Sequence, residues 1–166
     1  MDQAVNRGDY VREILELAEQ KALAENNEQN LLSARAKIIQ WYAGRKAWEQ
    51  GILYLNSIQF STQNSPFDDV INADILGIYL FGGDYEKAVQ VVQNELVKND
   101  LTESSWVFDK LNTFLNDEAI PEEIKRNTLD KFMTIEVQNR PGWKEFLENW
   151  SSLLIQPTVP EEVSNP

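Results

Sequence analysis

Residues 76–92, LGIYLFGGDYEKAVQVV, decide the fold. Apolar and aromatic side chains run up to Phe81, the Gly82-Gly83 pair stops that helix, and Asp84 stands where a cap for the next belongs. Tyr85 and the small Ala88 then open a second helix. The stretch 39–55, IQWYAGRKAWEQGILYL, follows the same plan 37 residues earlier. Ile39, Tyr42, Trp48, Gly51 and Leu55 correspond to Leu76, Tyr79, Tyr85, Ala88 and Val92. A small residue at the crossing lets two helices approach closely, as in tetratricopeptide-like hairpins. Any two antiparallel helix pairs share this pattern, and two copies fall short of an array.

Helix-length segments continue on both sides. Asp9 is a cap for a first helix whose apolar residues Tyr10, Ile14, Leu17, Ala18 and Ala22 share one face. A second helix runs from about 31 to 43, and a third from about 46 to 57 after a turn marked by Gly44. STQNSP (61–66) is a loop by composition, and Ser65-Pro66 opens a fourth helix with Asp68 and Asp69 at its positive end. Thr102-Glu103 starts a sixth, ending near Asn116. Pro121-Glu122-Glu123 starts a seventh reaching about Gln138, Arg140-Pro141-Gly142 breaks it, and 143–155 form the last. No strand-like alternation is sustained. The expected fold is all-α, with antiparallel helical hairpins stacked in a tetratricopeptide-like manner. An N-terminal helix occupies 1–30, a helical core 31–155, and a disordered acidic, proline-rich tail 156–166.

Composition narrows the chemistry. The chain has 166 residues, a net charge of −12, no cysteine and no histidine. That removes thiolate nucleophiles, Cys or His metal ligands and the Ser-His-Asp triad, leaving carboxylate-held Mg²⁺ or a tuned Lys, Tyr or Glu. No apolar run approaches the length of a membrane span, and the expected setting is cytosolic. The acidic total argues against general affinity for phosphate polymers, yet it is unevenly spread. Residues 30–48 hold Arg35, Lys37, Arg45 and Lys46 with no acid, while the flanking segments are net −4 and −12. Trp41, Tyr42 and Trp48 lie in the same window, and basic side chains interleaved with aromatics suit phosphate contact with stacking. A solvated helix face, with its cations paired to the acidic first helix, is the alternative.

Two other constellations stand out. Asp68, Asp69 and Asp84 could converge on Mg²⁺ in a nuclease, although each sits at a helix start where capping accounts for it. Trp143, Phe146, Leu147, Trp150 and Leu154 form an apolar stripe on the last helix, which either closes the domain or docks on a neighbouring subunit.

Three short stretches, in order, carry a family likeness: FDDVI (67–71), GDYEKAV (83–89) and IPEEIK (120–125), with WEQGIL (48–53) upstream. Over roughly 32–135 the chain resembles the GpM-like small terminase subunits of tailed bacteriophages. The resemblance implies a phage-encoded protein of the host cytoplasm that recognises double-stranded phage DNA for genome packaging. It also implies a homo-oligomeric ring that recruits the large terminase subunit, where the ATPase and nuclease reside. Members are often described as the endonuclease subunit, but no nuclease constellation is legible here. The expectation is a non-catalytic subunit without cofactor. DNA would meet Arg35, Lys37, Trp41, Arg45 and Lys46, and Trp143, Phe146 and Trp150 would form a partner or oligomer interface. The competing reading is a tetratricopeptide-like adaptor or assembly chaperone that binds protein and no DNA.

Overall fold

A computed structural model describes residues 3–98, 105–135 and 141–155. Among these the chain is all-helical: α1 (Gln3–Ala24), α2 (Glu28–Gly44), α3 (Trp48–Ser57), α4 (Asp69–Gly82), α5 (Tyr85–Lys98), α6 (Ser105–Leu115), α7 (Glu122–Met133) and α8 (Pro141–Ile155). The expected hairpin stack is what forms. Helix α1 packs on α2, α2 and α3 pair, α4 and α5 pair, and α7 pairs with α8.

Helix α4 is the hub, in contact with α2, α3, α5 and α6. Ile71, Ile75, Leu76, Ile78, Tyr79 and Leu80 are all buried, so nearly its whole circumference faces protein, as an all-round apolar helix requires. Two glycines set the α3–α4 spacing. A Cβ on Gly51 would stand 2.9 Å from Ile78, and one on Gly82 would stand 2.5 Å from Ile52. Close approach therefore exists where the repeat places a small residue.

Four helix ends share one closure. The residue pairs Ala22/Asn27, Tyr42/Ala47, Leu55/Phe60 and Tyr79/Asp84 are each joined by an amide donating back five residues. The residue before each donor has positive φ: Asn26, Lys46, Gln59 and Gly83. This is the Schellman geometry, and only one of the four positions is the glycine that favours it.

Several boundaries depart from the sequence reading. Helix α1 starts before Asp9, which lies inside it and not at its start. Helix α2 begins earlier than expected because Asn27 caps it, its Oδ1 accepting from the Asn30 amide at 3.0 Å. Ser65 does not cap α4. Asp68 does, accepting from the Ile71 amide at 3.0 Å, while the Ser65 hydroxyl donates to Asn72 Oδ1. Helix α7 stops at Met133, and α8 includes Pro141, whose fixed φ and missing N–H suit a first turn. The expected start at Thr102, the end near Gln138 and the tail 156–166 lie outside the described residues. No helix among the described residues is long and apolar enough to cross a membrane.

Candidate nucleic-acid interface on the first helix pair

Positions 37, 41 and 45 follow one another at i, i+4 and i+8, so Lys37, Trp41 and Arg45 lie along one stripe of α2. Position 35 is about 200° from 37 around the helix and looks the other way. Helix α1 runs back along α2 and contributes to both flanks.

On the first flank the Arg12 and Arg45 guanidinium carbons stand 5.9 and 5.3 Å from the centroid of the Trp41 ring. Each such contact is worth about 0.5–1 kcal/mol at a partly exposed site. Tyr42 meets the same indole edge-on at 5.1 Å. The indole Nε1 is buried without a hydrogen-bond partner among the described residues. Lys37 is exposed and borders a groove with Ile14, Ala18 and Lys21 of α1. Lys46 is exposed at the turn below Arg45. Within α1, Arg12 Nε stands 3.3 Å from Glu16 Oε1, and about one-third of the arginine side chain is exposed.

The other flank is spoken for. Arg35 Nε donates to Glu19 Oε1 at 2.8 Å, with the two side chains only 23% and 12% exposed. The Tyr54 hydroxyl donates to the second oxygen of the same carboxylate at 3.2 Å. Burial, reinforced by Glu19, pushes the Tyr54 phenol far above its usual range. Burial also raises Tyr42, with Arg12 pulling the other way. Glu19 thus ties α1 to both α2 and α3, and the charge of Arg35 is spent inside the molecule.

Of the five residues chosen from sequence for DNA contact, Lys37, Trp41 and Arg45 are brought to one side, Lys46 is exposed at the turn beyond them, and Arg35 points away. Trp41 carries guanidinium groups against its ring, so a base could stack there only by displacing one. Arg12 is the residue sequence reasoning missed. It sits in a segment that is acidic overall, and only the register of α1 on α2 brings it to Trp41.

The remaining candidates are placed as follows. Asp68 and Asp84 accept from the amides of Ile71 and Lys87, each three residues on, as caps do. Among the described residues no three carboxylates gather in a metal-holding group. Trp143 is 3% exposed, in ring contact with Phe108, Phe132 and Phe146 of its own chain. Trp150 donates from Nε1 to Asn112 Oδ1 at 2.9 Å. The stripe on α8 therefore closes the α6–α7 end of the stack. A cleft of about 180 Å³ lies where Phe60 and Phe67 meet Asn72, Asn94 and Trp106.

Comparison with protein-family models, with curated proteins and with solved structures finds no match to this chain.

Proposed function

We propose that this chain is a non-catalytic, DNA-contacting subunit of a packaging complex, of the small-terminase kind, acting in the host cytoplasm. The observation that carries the reading is the stripe of Lys37, Trp41 and Arg45, extended by Lys46 and joined by Arg12. Phosphates would meet the lysines and Arg45, with Trp41 holding the guanidinium groups in place. The surrounding acidic surface would repel DNA elsewhere. About three phosphate contacts per chain imply weak binding by one copy and a log–log salt slope near −3. An oligomer multiplies both, and the large terminase subunit would supply ATP hydrolysis and cutting.

The test is retention of double-stranded DNA by the full chain across a salt series. Each of Lys37→Ala, Arg45→Ala and Lys46→Ala should lower the salt slope by about one per contacting chain. Arg35→Ala should leave the slope unchanged while lowering the unfolding midpoint. Retention that survives the triple variant sinks the stripe as the contact. Absence of any retention at low salt sinks the DNA reading and leaves the adaptor, which the stacked hairpins favour on their own.

A further inference from the structure

Helix α1 packs on α2 through Arg12, Leu15, Glu19 and Ala22, which turns its opposite face outward. Tyr10 and Leu17 are each 63% exposed, and Val11 and Ile14 are close to half exposed. Tyr10, Ile14, Leu17, Lys21 and Ala24 recur at alternating spacings of four and three. That is the seam period of two helices lying side by side, not the broader stripe of a helix seated on a core. The spacing puts these apolar residues on one face, and that face is exposed, so it needs an occupant.

We infer that this face binds the same face of a second copy of the chain, with the two α1 helices antiparallel. Charge decides both the partner and the direction. The exposed charges along the seam are Glu13, Lys21 and Glu25, the last two 3.9 Å apart, so this strip carries only −1 on a molecule of net charge −12. A second acidic copy meets little repulsion here. In a parallel pair Lys21 would face Lys21. In an antiparallel pair Ile14 packs against Leu17 at the centre, and each Lys21 reaches Tyr10 and Glu13 of the other copy. The exposed parts of the four apolar side chains come to roughly 400 Å² per chain, the apolar half of the ~800 Å² each partner gives to a standard interface. Such a contact is isologous and closes at two chains; a ring needs a different, second contact. The pairing does not depend on DNA and stands even for a chain that never touches it.

Sedimentation equilibrium of the full chain, at salt sufficient to screen its charge, should give twice the chain mass. Leu17→Glu and Ile14→Glu should each weaken association about a hundredfold, since two symmetric copies of the change enter one interface. Leu53→Glu, at an apolar side chain equally exposed on α3, should change nothing. Far-UV circular dichroism should remain that of the parent for all three. Because the chain has no cysteine, a mixture of Tyr10→Cys and Lys21→Cys proteins should form a disulfide between the two. Tyr10→Cys alone should not, its copies being about 16 Å apart along the axis. A monomer at every concentration, an oligomer indifferent to both glutamates, or ready self-bridging of Tyr10→Cys each overturns the inference.

Discussion

In the α2–α3 hairpin the Ala47 amide donates to the Tyr42 carbonyl at 3.0 Å, and the Lys46 amide to Ala43 at 3.1 Å. In the α4–α5 hairpin the Asp84 amide donates to Tyr79 at 2.9 Å, and the Gly83 amide to Leu80 at 3.3 Å. The two turns therefore repeat bond for bond at a spacing of 37 residues, and the helices beyond them open on Gly51 and Ala88, both buried. The stripes facing the preceding helix differ completely. In α4 it holds Ile78 and Gly82, pressed on Gly51 and Ile52 of α3. In α2 the matching positions are Trp41 and Arg45, set against Arg12 of α1. One turn geometry thus supports a closed helix crossing in one place and a cationic surface in the other. What decides between them is the neighbour, a glycine-bearing helix or a charged one.

The sharpest way to break that contrast is truncation at the paired positions. Ile78→Ala should cost about 3–4 kcal/mol, because a fully buried side chain leaves a cavity that α3 and α4 cannot close. Trp41→Ala should cost about half as much, since the ring is partly exposed and its loss opens onto solvent. Urea midpoints at constant slope give both numbers. Equal losses would mean that the first stripe is as much core as the second.

Gly51→Ala comes next, at about 2 kcal/mol. The new methyl lands 2.9 Å from the β-branch of Ile78, which cannot swing away without moving its own helix. In an Ile78→Ala background the same change should be nearly free. A penalty that persists there would show that the small residue is needed for backbone reasons and not for the crossing.

Much of this contrast could be read from sequence, and the reasons it ran out are specific. The hairpins were legible because the aromatic, breaker and small-residue positions act within a dozen residues of one another. Asp68 and Asp84 were legible as helix-start carboxylates because a cap and its amide are three residues apart. The orientation of α1 was not. Its apolar residues Tyr10, Ile14 and Leu17 do share a face, but that face is exposed, and the one packed on α2 carries Arg12 and Glu19. Those two find Trp41, Arg35 and Tyr54 on helices far along the chain, and periodicity within one helix contains no record of such partners. For Arg35 the alternative of a cation paired to the acidic first helix is what forms, and only the particular acid, Glu19, was not legible.

Tyr42 and Tyr79 extend the comparison to pH. Tyr79 is fully buried, and its hydroxyl has no hydrogen-bond partner among the described residues. Burial raises its phenol, with Asp84 adding to the rise, whereas Arg12 opposes the rise at Tyr42. A phenol held protonated in the fold contributes stability that is fully present below the unfolded value of about 10 and is lost as pH rises beyond it. Tyr79→Phe should stabilise the protein by about 1 kcal/mol at neutral pH by deleting the orphaned hydroxyl. It should also flatten the decline above pH ~10 by up to about 1.4 kcal/mol per pH unit. Tyr42→Phe should do less of both, and a larger effect there would invert the comparison.

The smallest effect tests whether the two turns are equivalent in strain as well as in bonding. Lys46 has φ 55° where Gly83 has φ 84°. A side chain in that region costs about 1 kcal/mol, so Gly83→Ala should destabilise by about that amount. Lys46→Gly removes the same strain but gives the unfolded chain more freedom, leaving a net gain of about 0.5 kcal/mol. The two substitutions should therefore move the thermal midpoint in opposite directions, with the first shift the larger. If Lys46→Gly lowers the midpoint instead, the lysine stem is packed on the turn, and Lys46 belongs with the structural cations beside Arg35, outside the stripe proposed for DNA contact.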